Sequence, residues 1–121
     1  MKAAQTREAS QVSIGPLQIG IILLALATAL IHLVVLNIQM GQIDLLFTLN
    51  GLGFLAFLAA LYLPLPVVRD NRSLVRYAFI AYTALSILAW VFVGLPSTPL
   101  GYFTKAIEAA LIVLLIVEMR R

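Results

Sequence analysis

Apolar residues fill this chain in four long runs that are separated by short polar segments. The runs are Leu17–Leu36, Leu45–Leu63, Leu74–Val93 and Pro99–Met119. A helix rises about 1.5 Å per residue, so about 20 residues cross a hydrocarbon core roughly 30 Å thick. Each run therefore has the length of a membrane-spanning helix. The pattern predicts an all-α, transmembrane four-helix bundle.

Helix-breaking residues fall between the runs, where connections are expected. Gly15 and Pro16 precede the first run, Gly41 marks a tight turn after it, and Leu63-Pro64-Leu65-Pro66 ends the second. The connections are about five to ten residues long, and connections this short make consecutive helices antiparallel neighbours. We therefore expect an up-down-up-down topology.

The composition favours a single small membrane domain. Hydrophobic residues make up 63% of the 121 residues, charged residues 11%, and the mean hydropathy is +1.07. We expect a polar cytoplasmic tail at residues 1–16 and the four-helix domain at residues 17–121, which leaves no room for a soluble catalytic domain. The chain has no cysteine, which excludes disulfides, thiolate metal sites and thiol redox chemistry. We expect a protein that is not an enzyme.

The basic residues are distributed unevenly about the four runs. Lys105 alone lies at the end of the bundle that holds the first connection, and seven others lie at the opposite end: Lys2, Arg7, Arg69, Arg72, Arg76, Arg120 and Arg121. Cytoplasmic segments of membrane proteins are enriched in Lys and Arg. The distribution predicts a multi-pass protein of the cell (inner) membrane with both termini in the cytoplasm. It also favours contact with lipid headgroups over binding of nucleic acid.

Small residues at helical spacing indicate which faces of the helices pack together. In lipid, helices associate where small side chains let their backbones approach. The first run has Ala25, Thr28, Ala29 and His32 in such a stripe, and the fourth has Ala106, Ala109 and Ala110. Other stripes combine small and polar residues: Asn50, Gly53, Ala56 and Ala60 in the second run, and Ala78, Tyr82, Ser86 and Ala89 in the third. We expect these stripes to face one another.

Four polar residues within the runs lie at a similar depth, in the predicted outer leaflet. They are His32, Asn50, Lys105 and Glu108. A charged group at the centre of a membrane costs about 2.5 to 3.5 kcal/mol on insertion scales, so such groups are expected to find partners. We expect these four residues to form an intramembrane polar cluster.

Two roles for this cluster remain open. It is a structural contact if Lys105 pairs with Glu108 three residues away and His32 satisfies a neighbouring polar group. It is a proton relay or ligand site if His32 and Glu108 change protonation. One histidine and one carboxylate are too few for a zinc site, and one histidine cannot supply both axial ligands of a haem. We therefore expect no metal, no cofactor and no catalytic residue.

A set of short segments carries a resemblance to known proteins: His32, Leu46-Phe47-Thr48-Leu49-Asn50-Gly51-Leu52-Gly53-Phe54-Leu55, Leu61-Tyr62-Leu63-Pro64, Tyr82-Thr83, Trp90, and Gly101-Tyr102-Phe103-Thr104-Lys105-Ala106-Ile107-Glu108. This set resembles a family of small, uncharacterised four-span membrane proteins of bacteria and archaea. The resemblance extends over about residues 29–118. It implies the four-helix fold but no particular activity, and it includes the same four polar residues.

Three classes of function fit these features to different degrees. The favoured one is a non-catalytic accessory subunit of a larger membrane complex, such as an electron-transport or photosynthetic complex, with other membrane-protein subunits and lipids as partners. The alternative is a homo-oligomeric small-solute or proton-coupled transporter. Small four-span exporters carry a membrane-embedded glutamate in the first span, and this chain has no acidic residue there. A quinone- or lipid-handling enzyme is least favoured, since paired histidines and cysteines are missing.

Overall fold

The computed structural model describes residues 14–93 and 99–120. Within these ranges all regular elements are helical, and four helices are long and apolar enough to cross a membrane: Pro16–Gln39, Leu45–Tyr62, Arg72–Phe92 and Pro99–Arg120. We call them the first to fourth spans. This arrangement confirms the predicted all-α class with four long apolar helices. Most of the predicted tail at residues 1–16, with Lys2 and Arg7, lies outside the described residues, as does Arg121.

The first span contains a π-helical turn. It consists of α-helix at Pro16–Leu30, the π-helical turn at Ile31–Val35, and a last α-helical turn at Leu36–Met40. At the end of the π-helical turn, the Leu36 backbone N–H donates to the carbonyl of Ile31, five residues earlier. Such single wide turns are rare and occur frequently at functional sites. This one holds His32.

The connection after the first span is ordered by the Asn37 side chain. Its amide nitrogen donates to the Leu33 carbonyl at 2.9 Å and to Thr48 Oγ1 at 3.0 Å, and its oxygen accepts from the Asp44 backbone N–H at 2.7 Å. Asp44 in turn caps the second span by accepting the Phe47 backbone N–H. Gly41 supplies the left-handed turn, with φ of 72°, that ends the helix. The first two spans are thereby joined tightly at this end.

Each span packs most extensively against two others. The first contacts the second and the fourth, and the third also contacts the second and the fourth. Near the Pro16 end of the first span, Gln18 lies beside Glu118 near the end of the fourth. The second span ends at Tyr62 before Pro64 and Pro66, and a short helix at Pro66–Arg69 precedes the third.

The centre of the bundle holds a layer of apolar side chains that are fully buried. These residues come from all four spans: Ile21, Ala25, Ala29, Phe54, Leu61, Phe79, Leu111 and Leu115. Phe54 and Phe79 pack with their ring centroids 6.2 Å apart. We call this set the apolar layer.

The small residues of the first and fourth spans differ in burial. In the first span Ala25, Thr28, Ala29 and His32 are buried as predicted. In the fourth span Ala106, Ala109 and Ala110 are exposed, and the buried residues are Thr104, Glu108, Leu111 and Leu115. The prediction for the fourth span was wrong because Glu108 must face inward to find partners. That requirement turns the neighbouring alanines outward.

Candidate functional site: two buried polar networks

Glu108 is the centre of a polar network inside the bundle. Its side chain is fully buried, and Lys105 on the same helix donates to both carboxylate oxygens at 3.0 and 3.2 Å. Thr28, from the first span, donates its hydroxyl to Oε2 at 2.8 Å. A buried carboxylate is stable only with such partners, because it loses the hydration it would have in water. The Thr28 bond also fixes the first span against the fourth.

His32 lies next to this carboxylate but does not hydrogen-bond to it. Its Nε2 is 3.9 Å from Glu108 Oε2, beyond hydrogen-bond distance. Its Nδ1 is 2.8 Å from the carbonyl oxygen of Thr28. A carbonyl oxygen can only accept, so Nδ1 carries a proton and donates. In the neutral ring, Nε2 is then the nitrogen without a proton, and it lies nearest to Glu108.

The network continues from Lys105 toward the second and third spans. Lys105 Nζ is 3.4 Å from Ser86 Oγ, which also accepts from the Asn50 amide at 3.0 Å. The Tyr82 hydroxyl is placed to donate to two oxygens of Asn50: the side-chain Oδ1 at 2.7 Å and the backbone carbonyl oxygen at 2.8 Å. All four spans therefore contribute to a single set of polar contacts, which we call the Glu108 network.

The structure brings together the four residues of the predicted cluster. Lys105 and Glu108 are in direct contact, His32 is within 3.9 Å of Glu108, and Asn50 is joined to Lys105 through Ser86. Three further members of the network, Thr28, Ser86 and Tyr82, were not predicted from depth. Their positions in the small-residue stripes were the available signal, since polar residues in a stripe that faces other helices are candidates for bridging hydrogen bonds.

A second polar network surrounds Glu118 near the end of the fourth span. Glu118 Oε1 accepts from Arg76 Nε at 2.7 Å, and Oε2 accepts from the Tyr62 hydroxyl at 2.7 Å and from the Gln18 amide at 3.0 Å. From the sequence alone, a carboxylate so near the last residues, beside Arg121, is expected to form a solvated ion pair. The expectation of a solvated Glu118 is wrong, since its side chain is only 8% exposed and pairs with Arg76, while Arg121 lies outside the described residues. We call this set the Glu118 network.

The two networks are separated by the apolar layer. Glu108 and Glu118 are ten residues apart on one helix, which corresponds to about 15 Å along its axis. Fully buried Leu111 and Leu115 lie between them on the inner face, with Ile21, Phe54 and Phe79 packed in the same layer. The two buried carboxylates therefore belong to separate sites.

Neither a group of metal-ligand side chains nor the hollow at the surface adds to the Glu108 network among the described residues. Residues 14–93 and 99–120 contain no group of three or more His, Asp or Glu side chains close enough to hold a metal ion. An open, largely apolar hollow lies beside the first connection, lined by residues that include Leu33, Asn37 and Thr48. None of the four residues of the predicted cluster lines it.

Comparison of the chain with protein-family models, with curated proteins and with solved structures found no match.

Proposed function

We propose that this chain is a non-catalytic subunit of a larger membrane assembly, in which its four-helix bundle holds a fixed shape and contacts other membrane proteins. The observation that carries this proposal is that the buried polar groups bind one another. The Glu108 network joins the four spans, and the Glu118 network joins them again near the other end. Hydrogen bonds of both sets join one helix to another.

The outer surface of the bundle supports the same role. Large apolar side chains are exposed on all four spans, for example Leu23, Leu46, Phe92 and Phe103. Such a surface is suited to lipid tails and to the apolar flanks of neighbouring membrane proteins. An electron-transport or photosynthetic complex is one assembly of this kind.

The proposed topology is up-down-up-down, with both termini and the segment around Arg69–Arg76 in the cytoplasm. Contacts between helix ends support it: Glu118, late in the fourth span, bonds to Gln18 early in the first and to Tyr62 at the end of the second. The charge distribution supports this orientation more strongly because Lys105 is bound to Glu108 inside the bundle. Lys105 therefore does not act as a free basic residue at the opposite rim.

Native purification tests the proposed role. A tagged chain at its natural expression level, extracted in mild detergent, should co-purify with larger membrane proteins at a constant ratio through a second separation step. Identification of those proteins names the assembly. Recovery of the chain alone, or as a homodimer free of other proteins, would remove the accessory-subunit proposal.

Site-specific photo-cross-linking adds a matched control. A photoreactive residue at Leu23, Phe92 or Phe103, which are exposed, should give a cross-link to another polypeptide from at least one position. The same residue at Leu111, which is fully buried, should give none. Cross-links confined to lipid, or to second copies of the chain, at every exposed position would contradict the proposal.

A homo-oligomeric small-solute or proton-coupled transporter is the second candidate. It is favoured by one observation: a fully buried carboxylate, Glu108, beside a histidine nitrogen that can accept a proton. The apolar layer counts against a path through one bundle, because protons need a chain of polar groups or water. Such a path would have to run between copies. Purified wild-type chain in liposomes should then carry a pH-driven flux that Glu108→Gln abolishes, and a wild type without flux would exclude this candidate.

A further inference from the structure

We propose that His32 and Glu108 form a binding site for one proton, which exchanges with the side of the membrane that holds the first connection. This site is independent of the accessory role and would exist whether or not the chain has partners. The proton comes from water and forms a bond to Nε2 of His32, so the charge of the cluster rises by one. Nothing is oxidised or reduced.

The geometry of the imidazole ring selects the atom that takes the proton. Nδ1 donates to the Thr28 carbonyl at 2.8 Å, so it already holds a proton in the neutral ring. In the neutral ring, Nε2 and Glu108 Oε2 are therefore both acceptors, and they lie 3.9 Å apart. A proton on Nε2 turns this contact into a charge-assisted hydrogen bond after a movement of about 1 Å. The ring would then donate from both nitrogens.

The charged groups around the site act on the proton in opposite directions. On the fourth span, the Glu108 carboxylate favours a protonated His32, whereas Lys105, which balances that carboxylate when the proton is absent, opposes it. The second span presents the rings of Phe47 and Phe54 to His32, with centroids 6.3 and 6.0 Å away, and neither ring titrates. The first span adds the uncharged Thr28. The remaining titratable group is Tyr82 of the third span, whose hydroxyl is held by Asn50.

The position of the site determines the side from which the proton arrives. His32 is eight residues from Met40 at the end of the first span, about 12 Å along the axis, and sixteen residues from Pro16. On the Pro16 side the apolar layer separates it from the Glu118 network. Toward the first connection the path to the end of the span is shorter, and Phe47 packs on His32 from that side. We therefore expect proton exchange from the side of the first connection.

The test uses the fact that the chain has one histidine. Nitrogen-15 labelling of histidine makes His32 the only source of imidazole signals in magnetic resonance spectra of the full chain in lipid bilayers. At alkaline pH the wild type should show the tautomer with the proton on Nδ1. On acidification Nε2 should gain a proton in one step. A proton on Nε2 in the neutral ring, or a ring that stays neutral down to pH 4, would overturn the proposal.

Variants test whether the Glu108 carboxylate itself, and not the rest of the bundle, sets the midpoint of the His32 titration. Glu108→Gln should lower the midpoint of the His32 titration by one pH unit or more, since an opposite charge within about 4 to 6 Å favours the charged ring. Glu118→Gln, beyond the apolar layer, should leave the midpoint unchanged. If Glu108→Gln does not fold, the double variant Lys105→Met with Glu108→Gln is compared with Lys105→Met alone, so that the two chains differ only in the carboxylate. A midpoint that does not respond to the loss of the carboxylate would contradict the pairing.

Discussion

The Tyr82 hydroxyl lies where a β-carbon on Gly53 would stand. Gly53 thus allows the second and third spans to approach closely enough for Tyr82 to donate to Asn50. Tyr82 and Asn50 belong to the Glu108 network, and Gly53 borders it. The contact therefore links helix packing directly to the placement of the buried polar groups.

Gly53→Ala is expected to destabilise the bundle by about 1 to 3 kcal/mol, the usual cost of an overpacked core. The added methyl group would push the Tyr82 ring away from Asn50. The free energy of unfolding in lipid bicelles measures this effect. Gly20→Ala is the control, because its β-carbon would meet only the flexible end of Leu114, at 3.1 Å. Equal losses in the two variants would contradict the account of Gly53.

Glu108→Gln is expected to lower the free energy of unfolding by about 3 kcal/mol, because it leaves the Lys105 ammonium without its charge partner inside the bundle. Lys105→Met should also destabilise the protein, since it leaves the carboxylate with Thr28 as its remaining donor. The free energy of unfolding of the double variant should fall by less than the sum of the decreases in the two single variants. Strictly additive losses would show that the two side chains do not interact in the membrane.

Tyr62→Phe is expected to cost about 1.5 kcal/mol, since a hydrogen bond to a charged acceptor contributes about 1.5 to 3 kcal/mol. The hydroxyl of Tyr62 donates to Glu118, and the rest of the ring would be unchanged. Tyr77→Phe is the matched control, because Tyr77 is 55% exposed. Unfolding in bicelles should separate the two variants, and an equal response would argue against a structural role for the Glu118 network.

The helices were the part of the fold that the sequence predicted best. Long apolar runs have few stable structures in lipid other than helices, and Pro and Gly mark their ends. The first helix nevertheless continues past the predicted Leu36 to Met40. Its π-helical turn at Ile31–Val35 was not predicted, because no residue pattern in that segment distinguishes a π-helical turn from an α-helical one.

The helix faces were harder to predict, and the fourth span shows why. Ala106, Ala109 and Ala110 are apolar, as are Ile107 and Leu111, so in lipid the polarity of these residues does not indicate which face is buried. The polar residues were more informative. Depth placed Lys105 and Glu108 at the level of His32, although depth alone cannot identify the bridging hydroxyls of Thr28 and Ser86.

The Glu118 network was not predicted, because polar residues were compared by depth only in the predicted outer leaflet. Gln18 in the first span and Glu118 in the fourth are both polar residues near the same end of the bundle. A comparison of polar residues by depth at that end of the bundle would have placed Gln18 and Glu118 near Tyr62 and Arg76. A carboxylate near a helix end is easily interpreted as solvated, and its burial becomes evident only once the helices are packed.

Single-cysteine labelling tests most directly the claim that this chain crosses a bilayer four times with alternating direction. The chain has no cysteine of its own, and Gln42 and Asn71 are exposed residues in the first and second connections. In intact cells, a membrane-impermeant maleimide should label Gln42→Cys and should reach Asn71→Cys only after the membrane is permeabilised. Labelling of both positions from the same side of an intact membrane would contradict the account.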